Sequence, residues 1–273
     1  MIEIDQLSFR YGRTKALDNL SLRIDHGESV LLAGANGSGK TTLLRILAGV
    51  LNSRGTAVKI EGRRVSHHSR RLTAYIASST PFYDHLRLGE AVRLHGSMYR
   101  GFSYRGIGDY KFPLQKQVGA LSKGEKTLFL LSLALSSAPK VLLIDDVIHF
   151  LDPHLREIFL HSILHLIAEE QLTVIIAAQS AADIEGIPER IVLLQKGRIA
   201  LDAASESLKR LLVRAYMEAI PPGLPVVFHR EWGEMKEVYI YPYSSDLPLT
   251  AKIEYLPLPV IIRAFIGGEY DRR

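Results

Sequence analysis

The sequence predicts an α/β fold built around a phosphate-binding loop, and two features support this. Residues 34–42 fit the template G-x-x-x-x-G-K-[ST] at every fixed position. Short aliphatic runs alternate with helical segments, a pattern typical of a buried parallel sheet. With 273 residues and 47% hydrophobic content, the chain can bury one large core or a core plus a small appendage. It contains no cysteine, which excludes a disulfide framework and a cysteine metal site.

The flanks of the loop have the composition that a phosphate site requires. Residues 28–33 form a short apolar run without helical spacing, which predicts a buried strand. Apolar residues within 43–47 have helical spacing, and Gly49 is expected to end that helix. A strand that turns through glycines into a helix directs several N–H groups and the positive end of the helix dipole at one point. The pattern predicts a polyphosphate site in which Lys40 reaches the β- and γ-phosphates and the Thr41 hydroxyl binds Mg²⁺.

Two alternating segments, residues 2–9 and 20–24, predict antiparallel strands near the start of the chain. Tyr11 lies between them. Taken alone it is an ordinary edge-strand tyrosine, but its position just before the loop favours stacking on a purine.

Residues 58–78 predict a strand, a basic loop and a second strand. The basic cluster within 63–71 is better explained as a solvated loop than as a nucleic-acid site, because the net charge is only +5 and the other positive residues are scattered.

Residues 79–138 predict a helical insertion into the core. It contains one modest helix at about 86–98 and a second that starts at Ser122. Glu125 lies three residues after Ser122, which is a capping box, and the second helix is apolar on nearly all sides and must therefore be buried.

The aliphatic run 141–144 ends in Asp145 and Asp146, and packing alone does not explain two acids there. At the carboxyl end of a central strand, the first acid can hold Mg²⁺ and the second can face the water that attacks the γ-phosphate.

The next predicted helix, from Asp152 to about Glu170, carries His161 and His165. Because no third ligand is evident, we interpret them as surface histidines and not as a metal site.

A further buried strand, 172–178, ends at Gln179, and residues 191–200 predict a hairpin. Beyond residue 212 we expect a small accessory region of short strands with a last helix near 259–265, and Pro221–Pro225 is a linker candidate. There is no apolar run of about 18 residues and no signal-peptide pattern, so we expect a soluble chain that does not span a membrane.

Together these motifs resemble one family, the ATP-binding subunits of ABC transporters, over residues 1–209. The resemblance implies a P-loop NTPase core of the ABC ATPase type, an antiparallel β subdomain, a short helical subdomain at about 79–138 and a small C-terminal α+β extension. The domains implied are an ATPase domain at 1–210 and an accessory region at 211–273. The matching motifs are Tyr11 as the adenine-stacking aromatic, 34–42 as Walker A, 121–125 as the signature, 141–146 as Walker B, 149–152 as the D-loop and Gln179 at the switch-histidine position.

The family pattern assigns roles to individual residues. The nucleotide-binding residues implied are Tyr11, Gly34, Ala35, Asn36, Gly37, Ser38, Gly39, Lys40, Thr41, Thr42, Ser122 and Gly124. The catalytic residues implied are Lys40, Asp146 and Gln179. The Mg²⁺ ligands implied are Thr41, Asp145 and Ser78.

The sequence departs from this pattern at the residues that are tied to hydrolysis. Asp146 replaces a glutamate, Gln179 a histidine and Ser78 a glutamine, while Lys123 replaces a glycine of the signature. Because a misplacement of about 1 Å can cost about a hundredfold in rate, we predict ATP binding with slow hydrolysis. The alternative is a nucleotide-gated regulatory or scaffold protein with little or no hydrolysis. A nucleic-acid-associated ATPase is disfavoured by the lack of a basic stripe or a coiled-coil insertion.

The resemblance also implies partners and a location. Two subunits of the family enclose ATP between them, so we expect a homodimer or a heterodimer with a second ABC ATPase. We expect a separate membrane permease, no nucleic-acid partner, and a cytoplasmic position on the inner face of the cell membrane. The Ser-Lys-Gly signature, the short insertion and the tail 256–265 are most similar to exporter subunits of the antibiotic and bacteriocin resistance type.

Overall fold

The structure is a computed structural model, and it describes residues 1–52, 58–66, 69–77, 84–108, 110–179, 182, 184, 186–246 and 252–267. The strands are β1 (Ile2–Tyr11), β2 (Thr14–Ile24), β3 (Ser29–Ala33), β4 (Val58–Ile60), β5 (Arg63–Arg64), β6 (Thr73–Ala77), β7 (Val141–Asp145), β8 (Thr173–Ala178), β9 (Arg190–Gln195), β10 (Arg198–Ala204), β11 (Val213–Met217), β12 (Val226–Trp232), β13 (Met235–Ile240) and β14 (Ile253–Tyr255). The helices are α1 (Lys40–Leu47), α2 (Leu88–Met98), α3 (Lys123–Ser136), α4 (Pro153–Glu170), α5 (Ser205–Leu211) and α6 (Leu258–Gly267).

A six-stranded sheet in the order β10-β9-β3-β8-β7-β6 forms the centre of the molecule. Strands β9, β3, β8, β7 and β6 are parallel to their neighbours, and β10 pairs antiparallel with β9 at the edge. Every residue of β3 and β7 is buried, because other elements cover both faces of the sheet. The aliphatic runs predicted as buried parallel strands are therefore confirmed.

One face of the central sheet packs against α1 and against a smaller antiparallel sheet in the order β2-β1-β4-β5. Leu17, Leu43 and Leu143 are fully buried in this core. The opposite face packs against α3 and α4, with Phe129 and Phe159 fully buried there. The predicted antiparallel pair is confirmed by the register of β1 and β2, in which Ile2 pairs with Ile24.

The predicted helical insertion is present in the described part of the chain. Helix α2 begins at Leu88, two residues later than expected. Helix α3 begins after Ser122, which accepts a hydrogen bond from the Glu125 amide and donates its own amide to the Glu125 carboxylate, so the capping box is confirmed. Most of the apolar residues of α3 are buried, as its composition requires.

The C-terminal residues form a third sheet in the order β12-β13-β11-β14, followed by α6. Phe228 and Tyr239 join the large core on the α3 and α4 side, together with Ile261 of α6. The interpretation of Pro221–Pro225 as a linker is wrong: this segment connects β11 to β12 within one sheet, and Pro225 accepts a hydrogen bond from the Tyr241 amide. Proline and glycine favour turns as much as linkers, so composition alone did not separate the two. Among the described helices, none is long and apolar enough to cross a membrane.

Candidate functional site

The phosphate-binding loop joins β3 to α1, and its glycines allow a conformation that other residues would not. Gly34, Gly37 and Gly39 have φ values of 150°, 78° and 110°. A Cβ atom on Gly34 would lie 2.4 Å from the Leu194 carbonyl oxygen, and one on Gly39 would lie 2.7 Å from the Ala16 carbonyl oxygen. The loop can therefore press against β9 and β2 only because these positions are glycine.

The N-terminus of α1 has the features of an anion site. Gly39 is its N-cap, and in the described chain no side chain caps this end and no acidic residue lies in its first turn. The Ser38 hydroxyl oxygen is buried and has no hydrogen-bond partner within the described residues. Uncapped N–H groups and the helix dipole attract negative charge. The loop therefore fits the phosphates of a nucleotide.

Lys40 extends along the loop. Its Nζ donates to the Gly34 carbonyl oxygen at 2.6 Å and to the Ala35 carbonyl oxygen at 3.0 Å. Burial lowers the pKa of the Lys40 ammonium, while the negative charges of Asp146 and Asp145 act in the opposite direction. The Lys40 ammonium therefore interacts electrostatically with both acids.

Asp145 is the last residue of β7, and two hydroxyl groups hold its carboxylate. Thr41 donates to Oδ1 at 3.0 Å and Tyr75 donates to Oδ2 at 2.7 Å. Asp145 and Thr41, two of the three residues predicted to bind Mg²⁺, are therefore in direct contact. Oxygen donors of this kind suit Mg²⁺, so the pair fits the ion.

Sequence reasoning placed Tyr75 on a strand but missed its contact with Asp145. In the parallel register of β6 and β7, Ala77 pairs with Asp145 and Tyr75 with Leu143. A tyrosine two residues back on the same face spans a distance of about 6.6 Å with its long side chain. Burial, together with the hydrogen bond to Asp145, raises the pKa of the Tyr75 phenol. The register was the signal that could have identified this contact.

Asp146 follows directly and has a left-handed backbone, with φ 53°. Its amide donates to the Ala177 carbonyl oxygen at 3.0 Å, which fixes it to the end of β8. Its side chain is 41% exposed and borders a cavity of about 270 Å³ together with His149 and Gln179. A non-glycine residue in this conformation is uncommon and is often found at functional sites. The structure thus brings Asp146 and Gln179 together.

Tyr11 and the signature residues lie on other elements, at the end of β1 and at the start of α3. Tyr11 is 47% exposed and packs edge-on against Phe9, with ring centroids 5.1 Å apart. The pKa of Arg45 on α1 is raised, mainly by its hydrogen bond with Tyr75 and to a lesser extent by electrostatic interaction with Tyr75 and Tyr11. Ser78 lies outside the described residues.

The signature residues lie at the N-terminus of α3. A Cβ atom on Gly124 would lie 2.9 Å from Leu155 Cδ1 and 3.2 Å from the Phe150 carbonyl oxygen, so α3 approaches the turn after β7 closely. Lys123, the departure from the family glycine, places its Nζ 4.1 Å from the centre of the Phe150 ring.

The histidines of α4 border a different cavity, of about 830 Å³. His161 and His165 lie there with His154 and Glu157. Within the described chain, no group of three or more histidine, cysteine, aspartate or glutamate side chains is arranged to hold a metal ion. Arg63 and Arg64 of the basic cluster are exposed on β5.

The fold and this site define a P-loop nucleotide-binding protein. The family model described as ABC transporter matches residues 17–149. A relative from Yersinia pestis, the aliphatic sulfonates import ATP-binding protein SsuB, is 30% identical over 209 residues, which cover 74% of this chain and 76% of that protein. The chain therefore belongs to the ATP-binding proteins of ABC transporters, and the predicted family and fold class are confirmed.

Other relatives differ in the cargo that their names state. The lantibiotic transport ATP-binding protein SrtF of Streptococcus pyogenes is 28% identical over 225 residues, covering 77% of this chain and 95% of that protein. The Fe(3+) ions import ATP-binding protein FbpC of Escherichia coli O157:H7 is 27% identical over 287 residues, covering 100% of this chain and 82% of that protein.

Solved structures agree with this assignment. The ATP-binding subunit of an ABC transporter superposes with a TM-score of 0.68 at 26% identity, covering 77% of this chain and 92% of that one. The ATP-binding cassette MJ0796, solved as a dimer bound to ADP and Pi, has a TM-score of 0.66 at 22% identity, covering 75% and 98%. The second likeness shows the fold alone.

Proposed function

We propose that this chain binds Mg²⁺-ATP at the loop 34–42 and hydrolyses it slowly, and that it drives a separate membrane permease. The observation that carries the proposal is the cluster of Lys40, Thr41, Asp145 and Asp146 at the carboxyl ends of the parallel strands. In open α/β sheets, ligands bind at this edge.

Each group has a defined task in this proposal. The loop amides and Lys40 would hold the phosphates, and Thr41 and Asp145 would hold Mg²⁺, which supplies charge neutralisation when bound. Tyr11 would stack on the adenine. Asp146 would accept the proton of the attacking water, and Gln179 would hydrogen-bond near the γ-phosphate without carrying charge.

The slow rate is supported by the length of the acid. Asp146 is one methylene shorter than the glutamate of the family pattern, and the hydrogen bond from its amide to Ala177 keeps its backbone from moving forward. Its carboxylate is therefore farther from the loop than a glutamate would be, which weakens proton transfer without removing it.

The family pattern supports a paired assembly. Two copies, or this chain and a second ABC ATPase, would close over ATP so that Ser122 and Gly124 of one face the loop of the other, and hydrolysis would reopen them. The unit 1–210 would carry the nucleotide chemistry, and 211–273 would be an accessory region. The Ser-Lys-Gly signature, the short insertion and the tail 256–265 favour an exporter, which would lie on the inner face of the cell membrane.

The test is phosphate release from Mg²⁺-ATP by the purified chain, alone and with its permease. We expect slow, Mg²⁺-dependent turnover that Asp146→Asn abolishes. If ATP binds without any Mg²⁺-dependent turnover in either preparation, the motor is excluded and a nucleotide-gated scaffold takes its place.

A further inference from the structure

The turn after β7, residues 147–151, buries some of its side chains in the core and leaves His149 on the side of Asp146. Val147, Ile148 and Leu151 are buried, with exposed fractions of 1%, 5% and 2%. The Phe150 amide donates to the Val147 carbonyl oxygen at 3.1 Å, which closes the turn. His149 is left on the open side, with its side chain 48% exposed. The backbone of His149 is therefore fixed while its ring remains accessible.

This open side places the imidazole beside the acid. His149 Nδ1 lies 3.6 Å from Asp146 Oδ1. Both side chains border the cavity of about 270 Å³ that Gln179 also borders. Among the described residues that border it, His149 is the only one whose side chain is a nitrogen base. A contact of 3.6 Å is longer than a hydrogen bond, but catalytic hydrogen bonds often tighten when substrate binds.

The ring of His149 also packs against an aromatic neighbour. It packs on the Phe150 ring with centroids 3.9 Å apart and an interplanar angle of 47°, and Lys123 Nζ lies over that same Phe150 ring. This row of three side chains runs from the N-terminus of α3 to Asp146. The imidazole is thus supported by packing, as an orienting group must be.

We propose that His149 is a positioning residue for Asp146. Its Nδ1–H donates to Asp146 Oδ1 and leaves Oδ2 to accept the proton of the attacking water. A base that is oriented by a third group is a recurring arrangement in hydrolytic sites. In this chain, where the switch position is Gln179, His149 steadies the short acid. The inference rests on the proposed hydrolysis, because only then does the orientation of Asp146 affect a rate.

The first test measures steady-state ATP turnover. His149→Ala is expected to lower kcat about tenfold with KM unchanged, the effect of losing one hydrogen bond to a charged group. His149→Asn places an amide N–H where Nδ1–H was and is expected to restore most of the rate. His161→Ala, an exposed histidine on α4, is the matched control and should match wild type.

The second test needs no turnover and so separates this inference from the proposed hydrolysis. ¹⁵N NMR of labelled histidine at alkaline pH, with Mg²⁺ and a non-hydrolysable ATP analogue, reports which ring nitrogen carries the proton; the His149 signals are those absent from the His149→Ala spectrum. We expect the Nδ1–H tautomer in wild type and the Nε2–H tautomer in Asp146→Ala, because the partner of the ring sets the tautomer. Nε2–H in both proteins would overturn the proposal, whether or not the chain hydrolyses ATP.

Discussion

Lengthening the acid at position 146 is the perturbation that tests the slow-hydrolysis proposal most specifically. Asp146→Glu adds one methylene, which moves the carboxylate by about 1.5 Å. The backbone cannot absorb this change, because the Asp146 amide is bonded to Ala177 and the next two residues, Val147 and Ile148, are buried. The added length therefore extends the half-exposed side chain within the cavity that Gln179 also borders.

The size of the effect follows from that displacement. A misplacement of about 1 Å at a reacting centre costs about a hundredfold, so recovering it is expected to raise kcat by about tenfold to a hundredfold. KM should stay within about twofold, because the loop and Asp145, which would hold ATP and Mg²⁺, are unchanged. A higher kcat with an unchanged KM would mean that the longer acid stabilises the transition state and does not change nucleotide binding.

A coupled assay of phosphate release under saturating Mg²⁺-ATP measures this change. Asp25→Glu makes the same substitution at a side chain that is 68% exposed and distant from the loop, and it is expected to leave kcat unchanged. The contrary result is an Asp146→Glu variant that binds ATP normally but hydrolyses it no faster than wild type. In that case the length of the acid does not limit the rate.

Two further predictions concern side chains that hold charged groups in place. Tyr75→Phe removes one of the two hydroxyl donors to Asp145 and is expected to lower the free energy of unfolding by about 1.5 to 3 kcal/mol in urea denaturation, whereas a change near zero would show that the contact does not stabilise the fold. Burial alone would raise the pKa of Glu237 in the C-terminal sheet, but hydrogen bonds from Arg230, Tyr239 and Arg214 outweigh it, so the pKa is lowered. Its stabilisation is therefore present above the unfolded pKa and is lost as pH falls through the folded pKa, and Glu237→Gln should cost about 3 kcal/mol at pH 7 and clearly less in acid; an equal cost at both pH values would contradict this.

The elements of the fold could be predicted because their signals are local. The loop glycines, the aliphatic run before Asp145 and the capping box of Ser122 each occupy a few adjacent residues, and each formed the expected element. Helix ends were less certain, as the start of α2 at Leu88 shows. End residues fray and their periodicity is short, so the boundary carries little information.

The contacts within the site could be predicted only in part, because they depend on side chains from different elements. Thr41 and Asp145 meet because the loop before Thr41 follows β3 and Asp145 ends β7, and the carboxyl ends of these two strands lie at one edge of the sheet. The approach of His149 to Asp146 depends on the shape of the turn after β7. That shape is set by which residues of the turn are buried, and the spacing of residues in the sequence does not predict it. The interpretation of Pro221–Pro225 as a linker was wrong for a related reason. The pairing of distant strands decides whether a proline-rich segment links two units or turns within one sheet.

Nucleotide affinity of a Lys40→Ala variant tests the central claim most directly. We expect a calorimetric titration of this variant with Mg²⁺-ATP to show binding at least about tenfold weaker than that of wild type. The reason is that the variant lacks Lys40, the only charged hydrogen-bond donor of the loop 34–42. Unchanged thermal unfolding of the ligand-free variant would establish that the fold is retained. If the folded variant held Mg²⁺-ATP as tightly as wild type, the loop 34–42 would not be the phosphate site and the account would be contradicted.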